Sequence, residues 1–203
     1  RLRGQALRSG LGDDYREQIP PARRTVLRDT VPARELLLPF ALRDPRVERI
    51  RDIRYTDDHP RHFLDIYRPR GGCARAPVLL QIHGGGWVMG NKHEQALPLI
   101  HHLAARGWVV VTPNYRLSPR ARFPDPLVDC KRALAWVRRN IAAQGGDPSF
   151  VAVTGGSAGG HLAALIALTA NDPRLQPGFE AVDTTVAAAA PFYGIYDFTD
   201  RHA

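Results

Sequence analysis

Apolar and charged residues take turns over 47–55, from Val47 and Arg49 through Ile50, Asp52 and Ile53 to Tyr55, which predicts a strand. A second strand is expected over 62–67, with Phe63, Leu64, Ile66 and Tyr67, and the turn-forming Asp57-Asp58-His59-Pro60 between the two predicts a hairpin. Past the Gly71-Gly72 loop, the continuous apolar run 78–82 reads as a strand buried on both faces. Strand and helix then alternate. Asn91 with Glu94 has the form of a capping box for a helix whose inner face carries Leu97, Ile100 and Ala104 and which Gly107 stops. A buried strand follows at 108–112. The next helix covers 124–143, with Leu127, Cys130, Leu134, Val137 and Ile141 at spacings of three and four, ended by Gly145-Gly146. A strand at 150–154, an Ala/Leu-rich helix at 158–170 and a strand at about 185–190 complete the pattern; the Ala-rich 187–190 reads as a core strand. Alternation of this kind predicts an α/β fold with a mainly parallel sheet and helices on both faces, its chemistry at the carboxyl ends of the strands.

Two glycine-rich runs stand at such ends. The first is Thr154-Gly155-Gly156-Ser157-Ala158-Gly159-Gly160, a G-x-S-x-G pattern between a strand and a helix. A serine at so sharp a turn has its hydroxyl pushed out where a base can reach it, and a Cβ at 155 or 159 would collide with the neighbouring strand or helix. The second is His83-Gly84-Gly85-Gly86-Trp87, directly after the run 78–82. Consecutive glycines let backbone N–H groups turn toward a bound oxygen without side chains in the way. Acyl transfer needs such donors because its tetrahedral intermediate is an oxyanion, and losing one typically costs roughly 10²–10³ in rate.

These runs, with Pro113-Asn114-Tyr115-Arg116-Leu117-Ser118-Pro119, Phe123-Pro124 and Asp129-Cys130, resemble the hormone-sensitive-lipase-like branch of the α/β-hydrolase superfamily, the bacterial esterases and lipases with an H-G-G-G motif. The resemblance covers about residues 47–200. It implies an α/β-hydrolase fold, Ser157 as nucleophile, and the backbone N–H groups of Gly85, Gly86 and Ala158 as the oxyanion hole. It also implies that His83 helps to hold the glycine loop and is not the base, and that the N-terminal segment 1–45 packs as a cap on a core spanning 46–203. Three positions depart from the pattern: 156 and 114, often acidic in these enzymes, are Gly and Asn, and 120, often Glu, is Arg. They point to a side branch with its own substrate pocket.

The catalytic constellation is not complete in the sequence. In this fold the order along the chain is Ser, then Asp or Glu, then His. After Ser157 come Asp172, Glu180, Asp183, Asp197 and Asp200, with His161 and His202. His161, on the elbow helix, cannot curl back to the serine hydroxyl. By the resemblance, Asp197 belongs to a stretch that lies near the pocket without being the triad acid. The acid and base are therefore expected beyond Ala203. The first residue is Arg rather than Met, which reads as a piece of a longer protein, with any upstream leader or anchor out of sight.

Composition narrows the rest. In 203 residues, 44% are hydrophobic and 24% charged, ordinary for a globular domain, and no apolar run approaches a membrane span. The net charge of +8 is concentrated early: residues 1–75 hold 17 Arg against 11 acids, and 26 of the 28 basic residues are Arg. The interleaved acids and the lack of any nucleic-acid motif argue against nucleic-acid binding. Contact of the basic N-terminal stretch, with its short helices interrupted at Pro32 and Pro39, with an anionic membrane surface stays open. Cys73 and Cys130 read as free thiols of a reducing, cytoplasmic compartment. No Cys/His spacing suits a metal, and His101-His102 point apart on a helix surface. No cofactor is expected. A carboxylic ester is the expected substrate; an amide or formamide hydrolase and a non-catalytic binding module of the same fold are the alternatives.

Overall fold

A computed structural model describes residues 44–199 and, upstream, Gly12, Asp14 and Glu17. The chain divides into two compact units, Arg1–Leu38 and Pro39–Ala203. The cap-like segment and the interrupted helices expected before residue 44, and His202, lie outside the described residues. The strands of the second unit are β1 (Val47–Arg54), β2 (Phe63–Pro69), β3 (Ala76–Ile82), β4 (Val109–Pro113), β5 (Gly146–Gly156) and β6 (Ala188–Phe192); the helices are α1 (Leu97–Ala104), α2 (Asp125–Asn140) and α3 (Ala158–Leu168). One sheet runs in the order β1-β2-β4-β3-β5-β6. The expected hairpin pairs β1 with β2, β2 meets β4 antiparallel, and β4, β3, β5 and β6 are parallel neighbours. This is the mainly parallel α/β sheet that the alternation predicts.

Period two decides which side chain meets which helix. Val78, Leu80 and Ile82 of β3 and Val109 and Val111 of β4 face α2 and α3, where they join Leu127, Leu134, Val137 and Leu162 in the larger core. Leu79 and Val110, one residue out of phase, face α1 and pack with Leu97, Ile100 and Ala104. Each such buried aliphatic side chain stabilises the fold by about 1.5–3 kcal/mol. Cys130 lies in the larger core, and Cys73 is half-buried. Among the described residues no helix is long and apolar enough to cross a membrane.

Three boundaries differ from expectation. No capping box forms at Asn91: α1 begins at Leu97, with Pro98 in its first turn and Ala96 in the left-handed region at φ 57°. Segment 91–96 is instead held by tertiary contacts. Lys92 N donates to Asn114 Oδ1 (2.7 Å), its Nζ reaches Asp52 and the buried Asp65 (2.7 Å each), and Gln95 Oε1 accepts from Gly84 N (2.7 Å). Asp65 also accepts from Arg49 Nε (2.9 Å), so its carboxylate is buried but compensated. The second helix stops at Asn140 and tightens into a 3₁₀ turn, Ile141–Gln144, before Gly145 turns the chain at φ 85°. The last strand differs in place and cover from the expected core strand: β6 is shifted to Ala188–Phe192, and within this chain all five residues are exposed. Among the described residues it pairs with β5 on one side only, and it is this pairing, rather than the weak strand propensity of its alanines, that makes it a strand.

Candidate active site

The chain leaves β3 for β4 on one side and then crosses over to β5 on the other. The switch point of the sheet therefore lies between the carboxyl ends of β3 and β5, where open α/β sheets hold their ligands. Interstrand pairing sets Ile82 opposite Gly155, so both glycine runs leave the sheet at one level. They then touch. A Cβ on Gly84 would stand 2.6 Å from Gly156 O and 3.4 Å from Ser157 Cβ. A Cβ on Gly159 would stand 2.2 Å from Ile82 O and 2.7 Å from His83 O.

Ser157 is the N-cap of α3, at φ 55° and ψ −122°, a conformation L-residues avoid at a cost of order 1–3 kcal/mol. Its N–H donates to Phe192 O (3.0 Å) and its carbonyl accepts from His161 N (3.0 Å), so β6 and α3 grip the turn from both sides. Opposite it, Gly85 (φ 115°), Gly86 (φ 59°) and Trp87 (φ 61°) carry the loop through three successive left-handed residues. Val88 N and Met89 N close the loop on Gly85 O (3.1 and 3.0 Å), and Ser118 N donates to Trp87 O (2.8 Å). Among the described residues the N–H groups of Gly85, Gly86 and Ala158 have no acceptor, whereas that of Gly84 is taken by Gln95.

His83 is buried, stacked on Tyr115 with ring centroids 4.3 Å apart, and its Nδ1 lies 2.8 Å from Gly84 O. Tyr115 OH donates to His83 O (2.9 Å). The histidine thus braces the loop that follows it. Burial pulls its pKa down to about 4, against the opposing effect of the Gly84 bond. As pH falls, the unfolded chain takes up this proton near 6.5 and the folded protein only near 4. The group therefore adds stability above pH 6.5 and loses it as pH drops toward 4, by about 1.4 kcal/mol per pH unit. NMR titration is expected to find His83 uncharged at pH 5, where an exposed histidine is almost wholly protonated; a charged His83 at that pH contradicts its bracing geometry.

Beside the elbow lies a cleft of about 470 Å³, with Trp87, Phe123, His161, Leu165 and Phe198 on its walls. The aromatic trio Trp87, His161 and Phe198 carries no role in the motif reading. The position of His161, one helical turn past Ser157, is the only sequence signal for it. Tyr193 was also not legible: a Cβ on Gly156 would meet its hydroxyl at 2.5 Å, so the ring occupies the space that an acidic residue at 156 would need. Asp197 is exposed and accepts from Thr199 N (2.9 Å). No described histidine or carboxylate hydrogen-bonds the Ser157 hydroxyl. His101 is half-buried, edge-on to Tyr67 at 5.6 Å, and His102 is exposed beside Arg106. Among the described residues no group of three His, Cys, Asp or Glu side chains could hold a metal ion.

Known proteins are similar to this chain in sequence and fold. "Probable carboxylic ester hydrolase LipM" of Mycobacterium tuberculosis (strain ATCC 25618 / H37Rv) is 58% identical over 150 residues, 73% of this chain and 35% of that protein. "Esterase LipQ" of the same organism is 55% identical over 152 residues, 73% of this chain and 36% of that protein. The chain thus spans about a third of the length of these curated relatives. Among solved structures, Esterase B from Lactobacillus rhamnosis with a tributyrin phosphonate superimposes with a TM-score of 0.60 at 29% identity, covering 80% of this chain and 51% of that one. The BD-FAE family model matches residues 64–203, a stretch that holds both glycine runs and every strand from β3 on, and the chain belongs to that family, of the α/β-hydrolase type.

Proposed function

We propose that the protein hydrolyses carboxylic esters through an acyl-enzyme on Ser157. The observation that carries this reading is the contact between the glycine loop and the elbow, with unpaired N–H groups on both sides of a serine held at φ 55°. Attack of Ser157 Oγ on the ester carbonyl forms the Oγ–C bond and moves charge onto the carbonyl oxygen. The N–H groups of Gly85, Gly86 and Ala158 bind that oxyanion. Collapse breaks the bond to the alcohol, which leaves with a proton. Water then attacks the acyl-enzyme and releases the acid. The serine needs a base oriented by a carboxylate, and these are supplied from outside the described residues. The names of LipM and LipQ, and the phosphonate bound to Esterase B, support an ester over other acyl substrates.

A fluorophosphonate probe tests the reading, since it labels only an activated serine. Incubated with the full-length protein, it is expected to add to Ser157, identified by tandem mass spectrometry of the elbow peptide. Absence of an adduct there, with the protein folded, overturns the assignment.

A further inference from the structure

His161 is the one polar side chain between two aromatic rings in the cleft beside Ser157. Trp87 and Phe198 meet it edge to face, with centroids 5.3 and 5.4 Å away and interplanar angles of 86° and 81°. Its position four residues along α3 puts its backbone roughly 6 Å farther along the helix axis than that of Ser157, within reach of a substrate group a few bonds from the reacting carbonyl. The two ring nitrogens are in different states. Nδ1 is buried and has no hydrogen-bond partner. Nε2 takes part in no hydrogen bond with the described residues and is not among the buried unpaired atoms, so it is the accessible nitrogen of a half-buried ring on the cleft wall.

Burial holds the imidazole pKa below its ordinary value, so one nitrogen carries the proton at neutral pH. An orphaned N–H in an apolar setting is a rarer and costlier state than an orphaned lone pair, which assigns the proton to Nε2. His83 follows the same rule: its proton sits on Nδ1, facing Gly84 O, and the unpaired buried Nε2 is the lone pair. The cleft is thus a mostly apolar, aromatic-walled space into which His161 offers a neutral donor, while the Ser118 hydroxyl on its wall is committed to Ala121 O (3.0 Å).

We propose that His161 is a specificity-determining residue, whose Nε2–H donates to an acceptor oxygen carried by the otherwise apolar part of the ester that lies in the cleft. The substrate class is an ester with a ketone or ether oxygen a few carbons from the scissile carbonyl, on either its acyl or its alcohol side. This rests on Ser157 as the nucleophile. A purely hydrocarbon chain fills the cleft but leaves the donor unmatched.

Matched esters test it on the full-length protein. On the acyl side, p-nitrophenyl 5-oxohexanoate is compared with p-nitrophenyl hexanoate; on the alcohol side, 4-oxopentyl butanoate is compared with pentyl butanoate. On one side, the oxo ester is expected to be favoured in kcat/KM by about three- to tenfold, the scale of one neutral hydrogen bond. His161→Leu is expected to erase that preference and His161→Gln, which restores an N–H donor, to recover part of it. The ratio is the readout because a packing defect lowers both members of a pair together. The arm that shows the preference identifies the part of the ester that lies along α3. Equal rates within both pairs in the wild-type protein, or a preference that survives in His161→Leu, overturn the proposal. If Ser157 is not the nucleophile, the fluorophosphonate adduct is absent as well, which separates that failure from this one.

Discussion

Ser157→Ala in the full-length protein is expected to lower kcat/KM on p-nitrophenyl esters by about 10⁴-fold or more, the scale seen when a nucleophile is removed from an enzyme of this kind. The fold should not register the change. The hydroxyl makes no hydrogen bond to the described residues, and alanine keeps the Cβ, so a thermal midpoint within a degree or two of wild type is expected. Ser157→Gly separates the two demands on this position. Its activity should be as low, but glycine adopts φ 55° without steric cost, so the relief of strain offsets the greater flexibility of its unfolded chain. The glycine variant is expected to be at least as stable as the alanine variant. Turnover retained in Ser157→Ala would remove the acyl-enzyme mechanism, and a glycine variant clearly less stable than alanine would show that the elbow is not strained.

The second large effect is on the fold. Gly159→Ala is expected to destabilise the protein by about 3 kcal/mol and to reduce esterase activity beyond what the unfolded fraction explains. All three atoms nearest the new methyl group, Ile82 O, His83 O and His83 C, belong to the backbone at the end of β3. None can rotate away, so α3 must back off from β3 and carry the Ala158 N–H with it. Gly156→Ala is the graded comparison. Its obstacle is the Tyr193 ring, a side chain free to swing, and a loss of about 1 kcal/mol is expected. Gly71→Ala, with nothing within 4 Å, should be close to neutral. Urea unfolding of the four proteins checks the order; equal stability of Gly159→Ala and Gly71→Ala would mean that the strand and the elbow helix are not in contact.

The motifs were legible in the sequence because each is local. A strand, a glycine-bearing turn and a helix within 150–170 leave little choice of geometry, and the apolar run 78–82 announces a strand covered on both faces. Long-range contacts decided what was missed. Asn91 and Glu94 have the composition of a cap, yet Lys92 is drawn to Asp65 and Asn114, and the helix waits until Leu97. Nothing local in 187–190 distinguishes an interior strand from a marginal one; only pairing does. Tyr193 over Gly156, and the meeting of Trp87, His161 and Phe198, join residues that fold topology alone brings together.

The register between β3 and β5 has a mechanical meaning. The gap between the two glycine runs is gauged by the parallel pairing that runs from Val78 and Val151 to Ile82 and Gly155. Surface loops can lengthen, shorten or breathe without altering that gauge. On the proposed mechanism, selectivity can therefore be recut along the cleft walls while the two glycine runs keep their alignment, and a slip of a single rung would part the Ser157 turn from the N–H groups of Gly85 and Gly86.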